Sequence, residues 1–241
     1  MAEERKIRTS FHDISPREYM YFPKGTLERG KPGKFSRIEI NHLFISIIVL
    51  TIAFSFALTR NNLITGFVNG FKLHVFPFGI VKSFLGVLTA FFFHEFSHKF
   101  MAQRFGLWAE YRMFPRGLFL ALLLGVSTPL VFAAPGAVMF RGEPRDFEMG
   151  QIAVAGPLSN IVIASITLQL YLFVFYETPA LGKIVGFICL INAVLATFNL
   201  LPFGPLDGVK VVRWNGVVWA ILLIVSMTLM AIIFRFALSF E

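Results

Sequence analysis

The chain has 241 residues, of which 56% are hydrophobic and 30 are Phe, and its mean hydropathy is +0.71. Soluble domains rarely have this composition, so the sequence predicts one integral membrane domain and no second large domain. The formal net charge of +8 does not indicate nucleic-acid binding, because nine of the 22 Lys and Arg residues lie among acidic residues in the first 40 positions. We interpret residues 1–39 as a polar, basic tail that lies in the cytoplasm and can touch the lipid bilayer.

The apolar segments predict an α-helical polytopic membrane protein with five to six transmembrane helices, since each crossing needs about 20 apolar residues. The first candidate span covers residues 40–59, and a loop is expected over 60–77. The second span covers 83–105, and a polar turn follows over 104–116. After the uncertain segment 117–134 and a charged loop over 141–148, further spans are expected at 150–176, 181–201 and 214–236.

The segment 117–134 is short for a span and contains Gly125 and Pro129. Lys99 lies within a span and is not counted. If the segment crosses, the other Lys and Arg residues divide into 14 inside and 7 outside, whereas a segment that does not cross gives 16 and 5. The positive-inside rule therefore favours five full spans and a re-entrant or membrane-associated hairpin at 117–134. Such a hairpin is tolerable where its backbone is buried in protein or lines a cavity.

The second span contains the sequence H-E-x-x-H, formed by His94, Glu95 and His98 with two residues between. On a helix the two histidines lie at i and i+4, so both imidazoles can bind one zinc ion while Glu95 acts as base toward a water. Polar groups in a bilayer are costly unless they are used. The motif therefore predicts metal-dependent hydrolysis within a membrane.

A catalytic zinc site needs a third protein ligand and keeps one position open. Asp207 is the strongest candidate, because it follows an apolar run and lies among Pro and Gly residues that interrupt a helix. An unwound segment at this depth is tolerable beside a protein-lined or wet cavity. The other acids and histidines considered lie in polar segments or near the termini: His12, Glu110, Glu143, Glu148 and Glu241.

The H-E-x-x-H motif together with the segment N-x-x-P-x-x-P-L-D-G, from Asn199 to Gly208, resembles the site-2 protease family of intramembrane zinc metalloproteases. The run Ala155-Gly156-Pro157-Leu158-Ser159-Asn160 resembles the family's A-G-P-x-x-N pattern. The resemblance covers residues 91–208. It implies that residues 40–241 form one transmembrane metalloprotease domain, with one zinc ion per chain held by His94, His98 and Asp207.

By the same resemblance Glu95 is the catalytic base, and Asn199 binds substrate or stabilises the oxyanion. The implied substrate is a transmembrane segment of another protein, cut in regulated intramembrane proteolysis at the cell membrane. A substrate helix must unwind first, and residues 135–141 are a candidate strand edge for pairing with it. Two alternatives use the same His/His/Asp group: a membrane metal-ion transporter and a non-catalytic membrane scaffold. The oligomeric state is left open.

Overall fold

The computed structural model describes residues 35–131, 135–142, 144–175 and 178–237. This part of the chain forms nine α-helices and two strands: α1 Arg37–Leu58, α2 Leu63–Asn69, α3 Phe76–Val87, α4 Phe93–Arg104, β1 Trp108–Met113, α5 Pro115–Ser127, β2 Gly136–Arg141, α6 Asp146–Leu170, α7 Pro179–Asn199, α8 Asp207–Trp214 and α9 Gly216–Ala237. A 3₁₀ turn precedes α3, and π-helical turns follow α3 and α6.

Five helical segments in the described ranges are long and apolar enough to cross a membrane, which confirms the predicted polytopic α-helical class. They are Arg37–Asn69, Leu73–Arg104, Asp146–Phe175, Ala180–Asn199 and Gly216–Phe236. The segment predicted as a hairpin contains residues 117–127 of α5, a helix of 13 residues. A helix of that length is about 20 Å long and does not cross a hydrocarbon core of about 30 Å. The structure thus agrees with five spans.

The predicted loop at 60–77 is partly wrong, because it contains the helix α2. The side chain of Asn62 caps that helix by accepting a hydrogen bond from the Thr65 amide at 3.0 Å. Pro77 does not interrupt structure but lies in the first turn of α3. Proline is favourable there, since the first helical amides have no intrahelical partner.

The predicted polar turn at 104–116 is also wrong, because it contains strand β1. This strand pairs with β2 in antiparallel register, with Tyr111 opposite Val138 and Trp108 opposite Arg141. The charged loop expected at 141–148 ends early, since α6 begins at Asp146. The strand expected at 135–141 is present as β2.

Buried ion pairs explain why charge alone misled the expectations for these segments. Glu39, grouped with the polar tail by composition, is fully buried in α1 and paired with the buried Lys99 of α4. Glu110 and Arg112 on β1 form a second buried pair at 2.6 Å. Charges can lie inside a membrane protein when they pair with one another. The first pair joins α1 to α4, and Glu39 also accepts a hydrogen bond at 3.0 Å from the Tyr111 amide, which ties β1 to α1.

The helices form two apolar clusters that meet at α6. One cluster joins α1, α4, α5 and the sheet, and the other joins α6, α7 and α9. Helix α6 packs against α4, α7 and α8. The H-E-x-x-H helix and the Asp207 helix are therefore both held against α6.

Candidate metal centre

Helix α4 presents the two histidines to α6 at a point of close approach. A π-helical turn at Leu88–Phe92 leads directly into α4, and such turns are frequent at functional sites. Gly156 of α6 lies against the imidazoles, since a Cβ there would be 2.6 Å from Cε1 of His98 and 2.7 Å from Cε1 of His94. Gly156 therefore provides the space that the two rings occupy.

Asp207 is positioned by the break between α7 and α8. The chain turns at Gly204, whose φ of 62° is in the left-handed region that favours glycine. Asp207 then stands in the first turn of α8, where a carboxylate is favoured by the helix dipole. Trp219 of α9 donates a hydrogen bond from Nε1 to the Leu200 carbonyl at 2.7 Å, which fixes the end of α7.

The three predicted metal ligands lie together. Nε2 of His94 and Nε2 of His98 are 3.0 Å apart. The Oδ2 atom of Asp207 is 3.4 Å from the first of these nitrogens and 3.1 Å from the second. All three side chains are largely withdrawn from the surface. Within the described residues, this is the group of acids and histidines found to be able to hold a metal ion.

The outer ring nitrogens show which tautomers the histidines adopt. Nδ1 of His98 lies 2.7 Å from the Ile152 carbonyl, which only accepts, so Nδ1 carries the proton. Nδ1 of His94 lies 2.5 Å from Oδ1 of Asn160. That oxygen is identified because the Asn160 amide nitrogen donates to Ala90 O and to Asn192 Oδ1, each at 2.8 Å. Both Nε2 atoms therefore present lone pairs.

Three electron-rich atoms thus face one another, and a cation is required to make this arrangement favourable. Two atoms that each lie 2.0–2.1 Å from a tetrahedral zinc ion are about 3.3 Å apart, close to the separations seen here. Two imidazoles and one carboxylate also match the donor set of catalytic zinc sites. Hydrogen bonds from the other ring nitrogen are what metal-binding histidines need to hold their orientation. The residues fit zinc.

The charge around Asp207 favours its ionised form. Burial alone raises the pKa of this carboxyl, but the positive charge around it, including the ammonium group of Lys210, outweighs burial and holds the pKa well below its usual value. The Nζ atom of Lys210, one turn along α8, lies 3.4 Å from Oδ1. Asp207 is therefore ready to act as an anionic ligand.

Glu95 lies beside this group and points toward the sheet. Its Oε2 accepts a hydrogen bond at 3.1 Å from the Val138 amide of β2. A narrow cavity adjoins Glu95 and is lined in part by Tyr111, Val138 and the aromatic rings of Phe92 and Phe96.

Tyr111 holds the segment before β2 in place. Burial, reinforced by the charge of Glu95, raises the pKa of its hydroxyl above the usual value, so the hydroxyl stays protonated. It donates to the Pro135 carbonyl at 3.0 Å and contacts the Ser46 hydroxyl at 3.0 Å.

The other predicted site residue, Asn199, ends α7, and its side-chain amide donates to the Leu195 carbonyl at 3.1 Å. This hydrogen bond lies within α7 itself, and the role of Asn199 toward substrate stays a prediction. Sequence reasoning missed Asn192, which accepts a hydrogen bond from Asn160, and Lys210, which contacts the candidate ligand Asp207. A polar residue within an otherwise apolar helix was the available signal for Asn192.

Several curated proteins resemble this sequence, whereas no protein-family model and no solved structure matches it. "Putative zinc metalloprotease MJ0611" of Methanocaldococcus jannaschii is 36% identical over 189 residues, covering 78% of this chain and 90% of that protein. "Putative zinc metalloprotease YwhC" of Bacillus subtilis is 26% identical over 165 residues, covering 59% of this chain and 71% of that protein. "Zinc metalloprotease MJ0392" of Methanocaldococcus jannaschii is 27% identical over 121 residues, covering 50% of this chain and 30% of that protein. The likeness to MJ0611 extends over most of both chains, and this chain therefore belongs to the zinc metalloprotease family of which that relative is a member.

Proposed function

We propose that this protein is an intramembrane zinc metalloprotease of the site-2 type, which hydrolyses peptide bonds in or near transmembrane segments of other membrane proteins. Its cofactor is one zinc ion per chain, held by His94, His98 and Asp207. Its partners are the lipid bilayer and a transmembrane protein substrate, and its role is regulated intramembrane proteolysis.

One observation carries this proposal: two unprotonated imidazole nitrogens and a carboxylate oxygen converge at 3.0–3.4 Å, and both imidazoles and Glu95 belong to a helical segment long enough to span a membrane. If Asp207 only stabilised a helix and no metal bound, the Nε2 atoms of both histidines would have no reason to face its carboxylate. A metal-binding scaffold would have no need of a second carboxylate at Glu95. The combination supports hydrolysis.

The chemistry follows from the residues present. Zinc, when bound, lowers the pKa of a water molecule and polarises a carbonyl group. Glu95 takes a proton from water at its carboxylate and returns it to the amide nitrogen that leaves. If Oε2 of Glu95 released the Val138 amide, that amide would be free to bond to the substrate backbone. A substrate that pairs with the outer edge of β2 would present an unwound peptide bond to Glu95.

The orientation in the membrane is part of the proposal. The basic N-terminal tail favours a cytoplasmic N-terminus in the cell membrane under the positive-inside rule. Five spans then place the region after β2 on the cytoplasmic side. A reporter fused at residue 143 should be active in the cytoplasm, and external activity would contradict this orientation.

The decisive experiment compares wild type with Glu95→Gln in liposomes made from the organism's own membrane extract. Glu95→Gln should retain zinc and lose proteolysis, because the base is removed and the ligands are kept. New peptide termini should appear inside transmembrane segments only with wild type. If the new termini lie only in water-exposed loops, the protease is not of the intramembrane type. If the same termini appear with Glu95→Gln, Glu95 is not part of the mechanism.

A further inference from the structure

The second carboxylate oxygen of Asp207 has its own partner. Oδ2 faces the two imidazoles, while Oδ1 lies 3.4 Å from Nζ of Lys210. Asp207 and Lys210 are three residues apart on α8, so both point from the same face of that helix. The Asp207 side chain is 11% exposed and the Lys210 side chain 33% exposed. The ammonium group therefore approaches the carboxylate from the side away from the histidines.

The use of one oxygen matters for a catalytic metal. A carboxylate can bind a metal ion through one oxygen or through both. If both oxygens bound, Asp207 would occupy a position that catalytic zinc sites keep open for water or substrate. A positive charge beside Oδ1 favours metal binding through Oδ2 alone. The two cations then each have one carboxylate oxygen, because Oδ1 pairs with the ammonium group and Oδ2 binds the metal ion.

We propose that Lys210 is a positioning residue of the metal centre, which holds Oδ1 of Asp207 and so limits this ligand to one metal bond. This inference rests on the proposed function, since it assumes that the His/His/Asp group binds zinc. Lys210 does not touch substrate in this role but acts through Asp207. An ordinary exposed ion pair at this spacing would stabilise α8 only slightly and would not affect the metal.

The test replaces Lys210 with Met, which has a similar length but no charge, and with Arg, which keeps the charge and the donors. Lys210→Gln repeats the uncharged case with a polar side chain. The control is Lys183→Met, an exposed lysine at the opposite end of α7 from Asn199. Each purified protein is loaded with Zn²⁺ for affinity and with Co²⁺ for its visible absorption spectrum, which is intense for four-coordinate ions and weak for higher coordination.

Lys210→Met and Lys210→Gln should bind zinc about three- to tenfold more tightly than wild type, because a like charge has been removed beside the metal. Their Co²⁺ spectra should lose intensity as Asp207 binds through both oxygens. Lys210→Arg and Lys183→Met should match wild type in both measurements.

A purely structural role gives the opposite sign, since a loosened α8 would weaken zinc binding. Weaker binding in Lys210→Met, or an unchanged affinity and spectrum, would overturn the inference while leaving the proposed function intact. A folded wild type that binds no zinc would overturn both. The zinc content of wild type therefore separates the two failures.

Discussion

Replacing Gly156 with Ala should disrupt the metal centre without touching a ligand. The new Cβ would lie 2.6 Å from His98 Cε1 and 2.7 Å from His94 Cε1, whereas an ordinary contact begins at 3.4 Å. Because Nε2 of His98 would lie closer still to the new Cβ, the rings would have to retreat by at least 0.7 to 0.8 Å, or α6 would have to move away from α4. Metal–ligand distances tolerate errors of about 0.2 Å, so the displacement is several times too large.

We expect Gly156→Ala to bind zinc about 100-fold more weakly, the upper end of the effect of disturbing residues that support metal ligands. That loss corresponds to about 2.7 kcal/mol. The assay is competition with a chelator of known zinc affinity, in detergent. Gly216→Ala is the matched control, because no atom lies within 4 Å of the Cβ position there.

Circular dichroism should show the same helix content for both glycine variants. If Gly156→Ala binds zinc as tightly as Gly216→Ala, the close approach of α6 to the imidazoles is not what positions them. The geometric account of the site would then be refuted.

Two further predictions concern the groups around the ligands. Asn160→Leu should weaken zinc binding about 10- to 100-fold, because Leu cannot accept the His94 Nδ1 proton, and an affinity equal to that of wild type would contradict the orienting role. Lys99→Met should lower the free energy of unfolding by about 3–5 kcal/mol, because the buried Glu39 charge loses its partner. The double variant with Glu39→Gln should recover part of that loss in denaturant titrations, and no recovery would show that Lys99 acts independently of Glu39.

The spanning segments and the candidate metal ligands were predicted from the sequence for different physical reasons. Apolar runs of about 20 residues identify spans, because the bilayer excludes unpaired polar groups. The i, i+4 spacing identifies His94 and His98 as a pair on one helix face. Asp207 could be selected because few acids lie near apolar segments, and the structure brings it to the pair.

The polar segment before α5 could not be predicted in the same way. Glu110 and Arg112 indicated an exposed turn, but they lie in a strand and pair with each other. Glu39 and Lys99 are 60 residues apart, so no local pattern could show that they meet. Pairing between distant charges is decided by the tertiary fold, which single-sequence patterns do not contain.

The supporting amides show the same limit at the metal centre. Asn160 was noticed through its motif, but its bond to His94 depends on how α6 packs against α4. Asn192 of α7 enters the site only through its bond to Asn160. The roles of these two amides depend on where their side chains point once the three helices are packed together. The spacing of residues within one helix does not determine this.

The most direct test of the central claim is the zinc content of the purified protein, compared with that of Asp207→Ala. Asp146→Ala is a matched control, since Asp146 is an exposed acid in the first turn of another helix. The account predicts about one zinc per chain in wild type and Asp146→Ala, and more than about a hundredfold weaker binding in Asp207→Ala. A folded wild type without zinc, or an Asp207→Ala variant with undiminished affinity, would contradict a centre built from His94, His98 and Asp207.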